Sequence, residues 1–439
     1  MYATTSLVTI VALASSALAS PAPSGYNNGR VDVQNLSRKQ CTVYAHGGNT
    51  SDTDNILHAF SVCGHGGTVV FPESQNYFIA SKLNPVVNDV TIEWRGIWTL
   101  SPDITYWRQP ANHYPIAFQN HAASFVLTGD GIYIDGYGTG AIHGNGDVWY
   151  TAEAGDTQPG RPMPFVFWNV SDVTVSNFKV LQPPLWSLNI MNGTDMSFEN
   201  ITCNATATQV PYGENWVQNT DGMDTMDANN IKLKNFIYQG GDDCIAIKPR
   251  SYNIDIQNVE CHGGNGVAIG SLGQYLEDSS AENIIVDNVI RYNEDMHNAA
   301  YIKTWTGVLT PQDSYESNFL PRGGGWGSVR NVLFSNFQVF GADSGPAITE
   351  SSGGNSSSAG TSLMEISNVA FVNFTGYLSG SEKANRTASV SCSNVHPCFN
   401  IAFENVTLTV AENFTSTGVA QCSYISPGGV HGLTGGGCS

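Results

Sequence analysis

Three short stretches carry side chains suited to acid–base chemistry. They are Asn219-Thr220-Asp221-Gly222, Gly240-Gly241-Asp242-Asp243-Cys244, and the glycine-rich run from Gly263 through Asn265 to Ser271. Asp221 precedes Asp242 by 21 residues, and Asp243 precedes Asn265 by 22. A chain that winds with a period near those gaps stacks Asp221, the Asp pair and Asn265 on one face. Three clustered carboxylates repel one another, so at least one must hold its proton more tightly than usual. A protonated carboxyl beside ionised ones is what acid–base hydrolysis requires. The same cluster also suits a calcium site or a polar turn. Adjacent residues on a regular strand point to opposite faces. Asp242 and Asp243 therefore share one cleft only if the backbone leaves strand geometry, and Gly240-Gly241 make a bulge or bend plausible there.

The sequence supplies a period of that kind. The pattern Asn or Asp, apolar, any, apolar, any, Asn, apolar occurs at Asp172–Phe178, Asp195–Ile201, Asn230–Phe236, Asn253–Val259, Asn283–Val289, Asn331–Phe337, Asn368–Phe374 and Asn400–Val406. Starts are separated by 23, 35, 23, 30, 48, 37 and 32 residues. Each unit alternates, as a strand with one buried face does. Its asparagines suit turns, where they tolerate left-handed backbone. One short strand per 20–50-residue repeat indicates a solenoid. The expected fold is all-β, a right-handed parallel β-helix. A sandwich is the alternative, but the hairpin turns it needs are scarce. Solenoid ends must be covered, and Asp54–Val62 has helical spacing suited to an N-terminal cap. Residues after about 410 read as an irregular tail.

Composition narrows the function. The chain has 439 residues, 13% charged, with 18 Lys plus Arg against 37 Asp plus Glu and a net charge of −19. That excludes a basic nucleic-acid surface. Residues 1–19 read as a secretory signal peptide, an apolar run closing on Ala17-Leu18-Ala19. Residues 20–439 are then one β-helix domain. No other run approaches the ~20 apolar residues of a membrane helix. Eleven N-x-S/T sequons occur, at Asn35, Asn49, Asn169, Asn192, Asn200, Asn204, Asn355, Asn373, Asn385, Asn405 and Asn413, in keeping with secretion. Nine cysteines pair by proximity as Cys41–Cys63, Cys244–Cys261, Cys392–Cys398 and Cys422–Cys438, leaving Cys203 free.

The Asn219–Gly222 and Gly241–Cys244 motifs, the glycine-rich run and Tyr301-Ile302-Lys303 resemble, in order and spacing, the four motifs of polygalacturonase-type glycoside hydrolases, family 28. Gly140–Trp149 resembles that family's early glycine-rich segment. The resemblance implies hydrolysis of α-1,4 bonds of galacturonan with inversion. Asp242 would be the general acid, and Asp221 and Asp243 would hold and deprotonate the attacking water. Inversion needs about 6.5–9.5 Å between acid and base carboxyls. Lys303 would pair with the substrate carboxylate, and no cofactor or metal is needed.

The chain departs from the family pattern twice. Asn265 stands where the family usually has His, and Tyr301 where it has Arg. His262 and His297 are candidate stand-ins for that His, and Tyr301 offers a surface on which a sugar could stack. Lys248 and Arg250 are further candidate subsite cations. These variants, with Ser271–Tyr275 and His297–Lys303, are similar to fungal exo-polygalacturonases, which release single galacturonate units from the non-reducing end. The insertion from Trp305 to Arg330, with Trp305, Arg322, Trp326 and Arg330, would wall off one end of the cleft. The implied partner is pectic polygalacturonate, acted on by a monomer. Alternatives are an exo-hydrolase of rhamnogalacturonan or xylogalacturonan, a calcium-dependent lyase, and a non-catalytic carbohydrate-binding β-helix.

Overall fold

A computed structural model describes residues 29–438 except 36, 319, 355–356, 380–385, 411–415 and 418–419. The signal segment 1–19 and the sequons at Asn355, Asn385 and Asn413 lie outside the described residues. The chain winds as a right-handed parallel β-helix. Its longest strands pair in parallel, coil upon coil, from Phe165–Leu181 through Leu188–Asn204, Met223–Gln239, Ser251–Gly264, Ala281–Asn298, Trp326–Ser344 and Leu363–Leu378 to Phe399–Val410. A second column of short strands, Asp243–Ile247, Gly266–Leu272, Ala300–Trp305, Ala347–Ser352, Ala388–Ser391 and Ala420–Ser423, forms the face that carries the acidic patch.

Alternation explains the core. Val175, Phe198, Leu233, Ile256, Val286, Phe334, Phe371 and Phe403 are register partners in successive coils, and all are buried. The Phe334 and Phe371 rings lie 5.2 Å apart and nearly parallel. A residue type that packs at one level packs at the next, so the hydrophobic gain repeats with every coil.

The repeat's second asparagine turns the corner. Asn177, Asn200, Asn235, Asn258 and Asn288 all adopt left-handed φ values between 55° and 58°. From Asn200 to Asn288, each amide donates to the side-chain oxygen of the asparagine one coil earlier, at 2.8–3.0 Å. The ladder satisfies side chains that would otherwise compete with the backbone.

The N-terminal end is covered by the helix Thr53–Cys63, which buries Ile56, Ala59 and Phe60. The bonded cysteines are Cys41–Cys63, Cys244–Cys261, Cys392–Cys398 and Cys422–Cys438, and Cys203 is free and buried. The C-terminal stretch is more regular than its sequence suggests. Ala420–Ser423 pairs with Ala388–Ser391, and Val430 and His431 pair with Ile401 and Ala402. The apolar Ala420, Cys422 and Val430 are buried, which gives these residues a reason to extend the solenoid. Among the described residues no helix is long and apolar enough to cross a membrane.

Candidate active site

The acidic patch forms where the second column begins. Gly222 donates its N–H to the Asp243 carbonyl (3.0 Å), and Asn265 donates its N–H to the Asp242 carbonyl (2.8 Å). Asp221, the Asp pair and Asn265 are thereby stacked on three consecutive coils. The pairing slips between Asp243 and Ile245, a bulge of the kind that re-aims side chains. From the core, the Tyr238 hydroxyl accepts from the Asp242 N–H (3.1 Å) and donates to its carbonyl (3.0 Å), bracing the bend. Gly264 makes the close stacking possible. It has φ +78°, and a Cβ there would stand 1.9 Å from the Asp242 carbonyl oxygen.

Four N–H groups converge on the Asp242 carboxylate. Asn219 gives its backbone N–H (3.1 Å) and its amide (3.2 Å) to Oδ2, while Asp243 N–H and the Asn265 amide reach Oδ1 at 2.9 Å each. The other carboxyls are almost inaccessible, Asp221 at 2% and Asp243 at 3% exposure. Burial first, then the neighbouring Asp242 and Asp224, push the Asp221 pKa well up. Burial also raises Asp243, with Lys303 opposing and Asp242 adding. Asp243 Oδ1 accepts a hydrogen bond from the Tyr301 hydroxyl. One oxygen from each of Asp221, Asp242 and Asp243 lies within 4.8 Å of the others. That is closer than the expected window of about 6.5–9.5 Å between the carboxyls of an inverting pair.

The candidate cations divide. Lys303 lines an open pocket of about 320 Å³ with Asn265, His297, Asn298, Tyr301, Asp343 and Ser344. Lys248 does not face that pocket. It is buried, with Nζ 3.6 Å from Asp221 and 3.0 Å from Asp224. Burial resists its charge, but Asp224, Asp221 and Asp243 outweigh that and raise its pKa. Lys248 thus serves as an internal counterion to carboxylates rather than a free hand for substrate. Arg250 lies outside the site, pinned to Asp227, Glu277 and the Asp278 carbonyl.

The other expectations are redrawn as well. Tyr301 is only 6% exposed and hydrogen-bonds Asp243, so it is not a stacking platform. His262 pairs with Glu260 at 2.7 Å, and His297 pairs with Asp343 at 3.2 Å in the open pocket. The hydrogen bond to Asp242 comes from Asn265 itself. Trp305 is buried beneath Arg322, Trp326 is exposed, and Arg330 pairs with Glu282.

Several site residues escaped the sequence reading. Asp224 is buried one strand-turn from Asp221, and burial, opposed by Lys248, pushes its pKa up to about 7. Its place three residues after Asp221 was the available signal. Trp186 is buried with its ring 4.2 Å from Lys248 Nζ. The insertion after Trp305 meets a loop from far upstream. Its short helix Tyr315–Ser317 meets Phe118–Asn120, where Asn120 Nδ2 donates to the Tyr315 carbonyl (3.1 Å). Beside it, the Tyr275 hydroxyl accepts from the Gln119 N–H (2.9 Å), and Gln119 Nε2 reaches Gln274 Oε1 (3.1 Å). Loops some 155–195 residues apart thus meet beside the acidic patch. No local spacing announces such a meeting.

The model for Glycosyl hydrolases family 28 matches residues 67–429. A protein provisionally named galacturan 1,4-alpha-galacturonidase C, from Aspergillus niger, is 66% identical over 397 residues, covering 90% of this chain and 93% of its own. An exopolygalacturonase X from Aspergillus niger is 35% identical over 374 residues, covering 84% of this chain and 82% of its own. Among solved structures, an endo-xylogalacturonan hydrolase from Aspergillus tubingensis superposes with a TM-score of 0.75 at 24% identity, covering 90% of this chain and all of that one. At that identity the likeness speaks for the fold.

Proposed function

The chain belongs to glycosyl hydrolase family 28, and from that premise we propose that it is a secreted exo-polygalacturonase, removing single galacturonate units from the non-reducing end of polygalacturonate. The observation that carries the exo reading is the one-ended cleft. The bridge of Asn120 to Tyr315 and Gln119 to Gln274 and Tyr275 stands on one side of the acidic patch. The pocket with Lys303 opens on the other. In this reading the bridge stops a polymer from threading past while its end can enter.

In this reading Asp242, the most accessible of the three carboxyls, protonates the departing glycosidic oxygen. Asp221 and Asp243 hold the water and take its proton as it attacks from the opposite ring face, so the anomeric configuration inverts. Lys303 pairs with the uronate carboxylate on the leaving side. Lys248 keeps Asp221 and Asp224 tolerable inside the protein. We take residues 20–439 as the mature chain, and four disulfides and the many sequons support an extracellular setting.

The test is the product pattern from de-esterified polygalacturonate, with viscosity and with the first-formed anomer read by proton NMR. Monomer alone, slow loss of viscosity and initial β-anomer are expected. Mixed oligomers with rapid thinning would make it an endo enzyme. An α-anomer would overturn inversion, which matters because the carboxylate oxygens are so close. An unsaturated product suppressed by chelator would mark a lyase. Turnover only on rhamnogalacturonan or xylogalacturonan would move the substrate.

A further inference from the structure

His121 lies beside the bridge, between Tyr315 and Trp186. It is 5% exposed, and neither ring nitrogen has a hydrogen-bond partner among the described residues. Its ring stands edge-on to Trp186 (4.6 Å) and 6.0 Å from the Tyr315 ring. Lys248 Nζ packs on the same indole at 4.2 Å, so His121 is one ring away from the acidic patch. Two further buried polar atoms near it lack a partner among the described residues, the Tyr315 hydroxyl and Arg322 Nε. Burial and the nearby Lys248, Arg161 and Arg322 hold the imidazole neutral, its pKa lowered to about 3. A neutral imidazole offers one donor and one acceptor. Leaving such groups unpaired inside a protein costs about 1–3 kcal/mol each, so several together mark a surface shaped for something else.

Resting on the exo reading above, we propose that His121, Tyr315 and Arg322 form the pocket that recognises the non-reducing terminal galacturonate, His121 and Tyr315 bonding its free 4-hydroxyl and Arg322 its carboxylate. A hydroxyl both donates and accepts, which matches a neutral imidazole and a phenol. The 4-hydroxyl is also the group that distinguishes a chain end, because in every internal unit that oxygen is glycosylated. Arg322 is the available cation. Arg161 is already spent on Glu153, Thr157 and the Pro184 and Gln218 carbonyls, and Lys248 on Asp221 and Asp224. Among the described residues the Arg322 side chain meets Ser314 at 3.1 Å, the Tyr275 hydroxyl and a distant Glu316 at 3.9 Å, and it rests on Trp305.

The experiment compares trigalacturonate with the trimer whose terminal unit is 4-deoxy-4,5-unsaturated, which keeps the carboxylate and lacks the hydroxyl. A site built to bond a hydroxyl rejects the analogue without it, here by on the order of 10⁴-fold in kcat/KM. His121→Ala should bring that ratio within about tenfold, by losing activity on the saturated trimer alone. Tyr315→Phe, which removes one hydroxyl and keeps the ring, should lower the ratio in the same direction and stands in if His121→Ala fails to fold. A ratio unchanged in both variants, with kcat and KM as in wild type, overturns the pocket while monomer release by wild type keeps the exo reading. Oligomer release by wild type sinks both.

Discussion

The asparagine corner and the acidic patch are built from the same step of the solenoid and have opposite character. At the corner, one residue type recurs coil after coil and each amide finds the oxygen below it. At the patch, no side chain repeats, carboxyls are buried beside carboxyls, Asp224 Oδ1 has the Lys248 ammonium at 3.0 Å, and Asp221 Oδ1 and Asp224 Oδ2 lack a hydrogen-bond partner among the described residues. The corner is a place where repetition satisfies every group. The patch is a place where repetition has been broken to gather charge. Polar groups left unsatisfied next to a cleft are a cost to stability that a purely structural surface has no reason to carry.

The largest effect should come from removing the best-connected carboxylate of the patch. Asp242→Asn keeps the shape and several of the donors' partners but cannot deliver a proton. Turnover of polygalacturonate should fall at least 10³-fold, with the melting temperature held or raised. A loss below tenfold would move the acid elsewhere and make the patch another polar surface, erasing the contrast.

A second test uses a buried carboxyl outside the patch. Glu350 is 0% exposed, and burial, opposed only weakly by the Ser393 backbone N–H, raises its pKa to about 9. Between the usual pKa near 4.5 and about 9, the folded state keeps a proton that the unfolded state has lost. Stability is therefore complete below about pH 4.5 and declines as pH rises towards 9. The upper bound is about 6 kcal/mol, at ~1.36 kcal/mol per unit, and roughly half of that is expected once the structure relaxes. Glu350→Gln should be isostable with wild type at pH 4, more stable at pH 8, and equally active. Chemical denaturation at the two pH values reads it. A variant equally stable at both would show that the acid carries no such cost.

How much of this was visible beforehand follows from what each feature depends on. The solenoid, the capping helix and the stacking of Asp221, Asp242, Asp243 and Asn265 depend on period, and period is written in the sequence. Lys248 looked like a substrate cation because sequence shows a charge near the Asp pair but not which side chains lie behind it. Tyr301 looked like a platform because its type suits stacking, whereas its burial and its bond to Asp243 are properties of the packed coil. His121, Trp186 and Tyr315 were invisible because their meeting depends on loops that leave the repeat, and those carry no period.

The sharpest comparison needs only two asparagines on one coil. Asn258 donates its amide to Asn235 Oδ1 at 3.0 Å, and Asn265 donates its amide to Asp242 Oδ1 at 2.9 Å, each bond spanning 23 residues. The donor, the length and the coil step are alike, and only the region differs. Asn258 has φ +58° and also accepts from Asn288 at 2.8 Å. Asn258→Ala breaks the ladder on both sides and forces alanine into left-handed backbone, so about 1–3 kcal/mol of stability should be lost. Asn258→Gly relieves the backbone part and should recover some of it. Neither should change kcat. Asn265→Ala leaves the backbone undisturbed and takes one donor from the acid, so kcat should fall about tenfold, at ~1.4 kcal/mol, with the melting temperature nearly constant. Paired melts and kinetics on the two alanine variants separate the roles. If Asn258→Ala lost turnover as well, the ladder would be holding the patch in place, and scaffold and site would have to be treated as one cooperative unit.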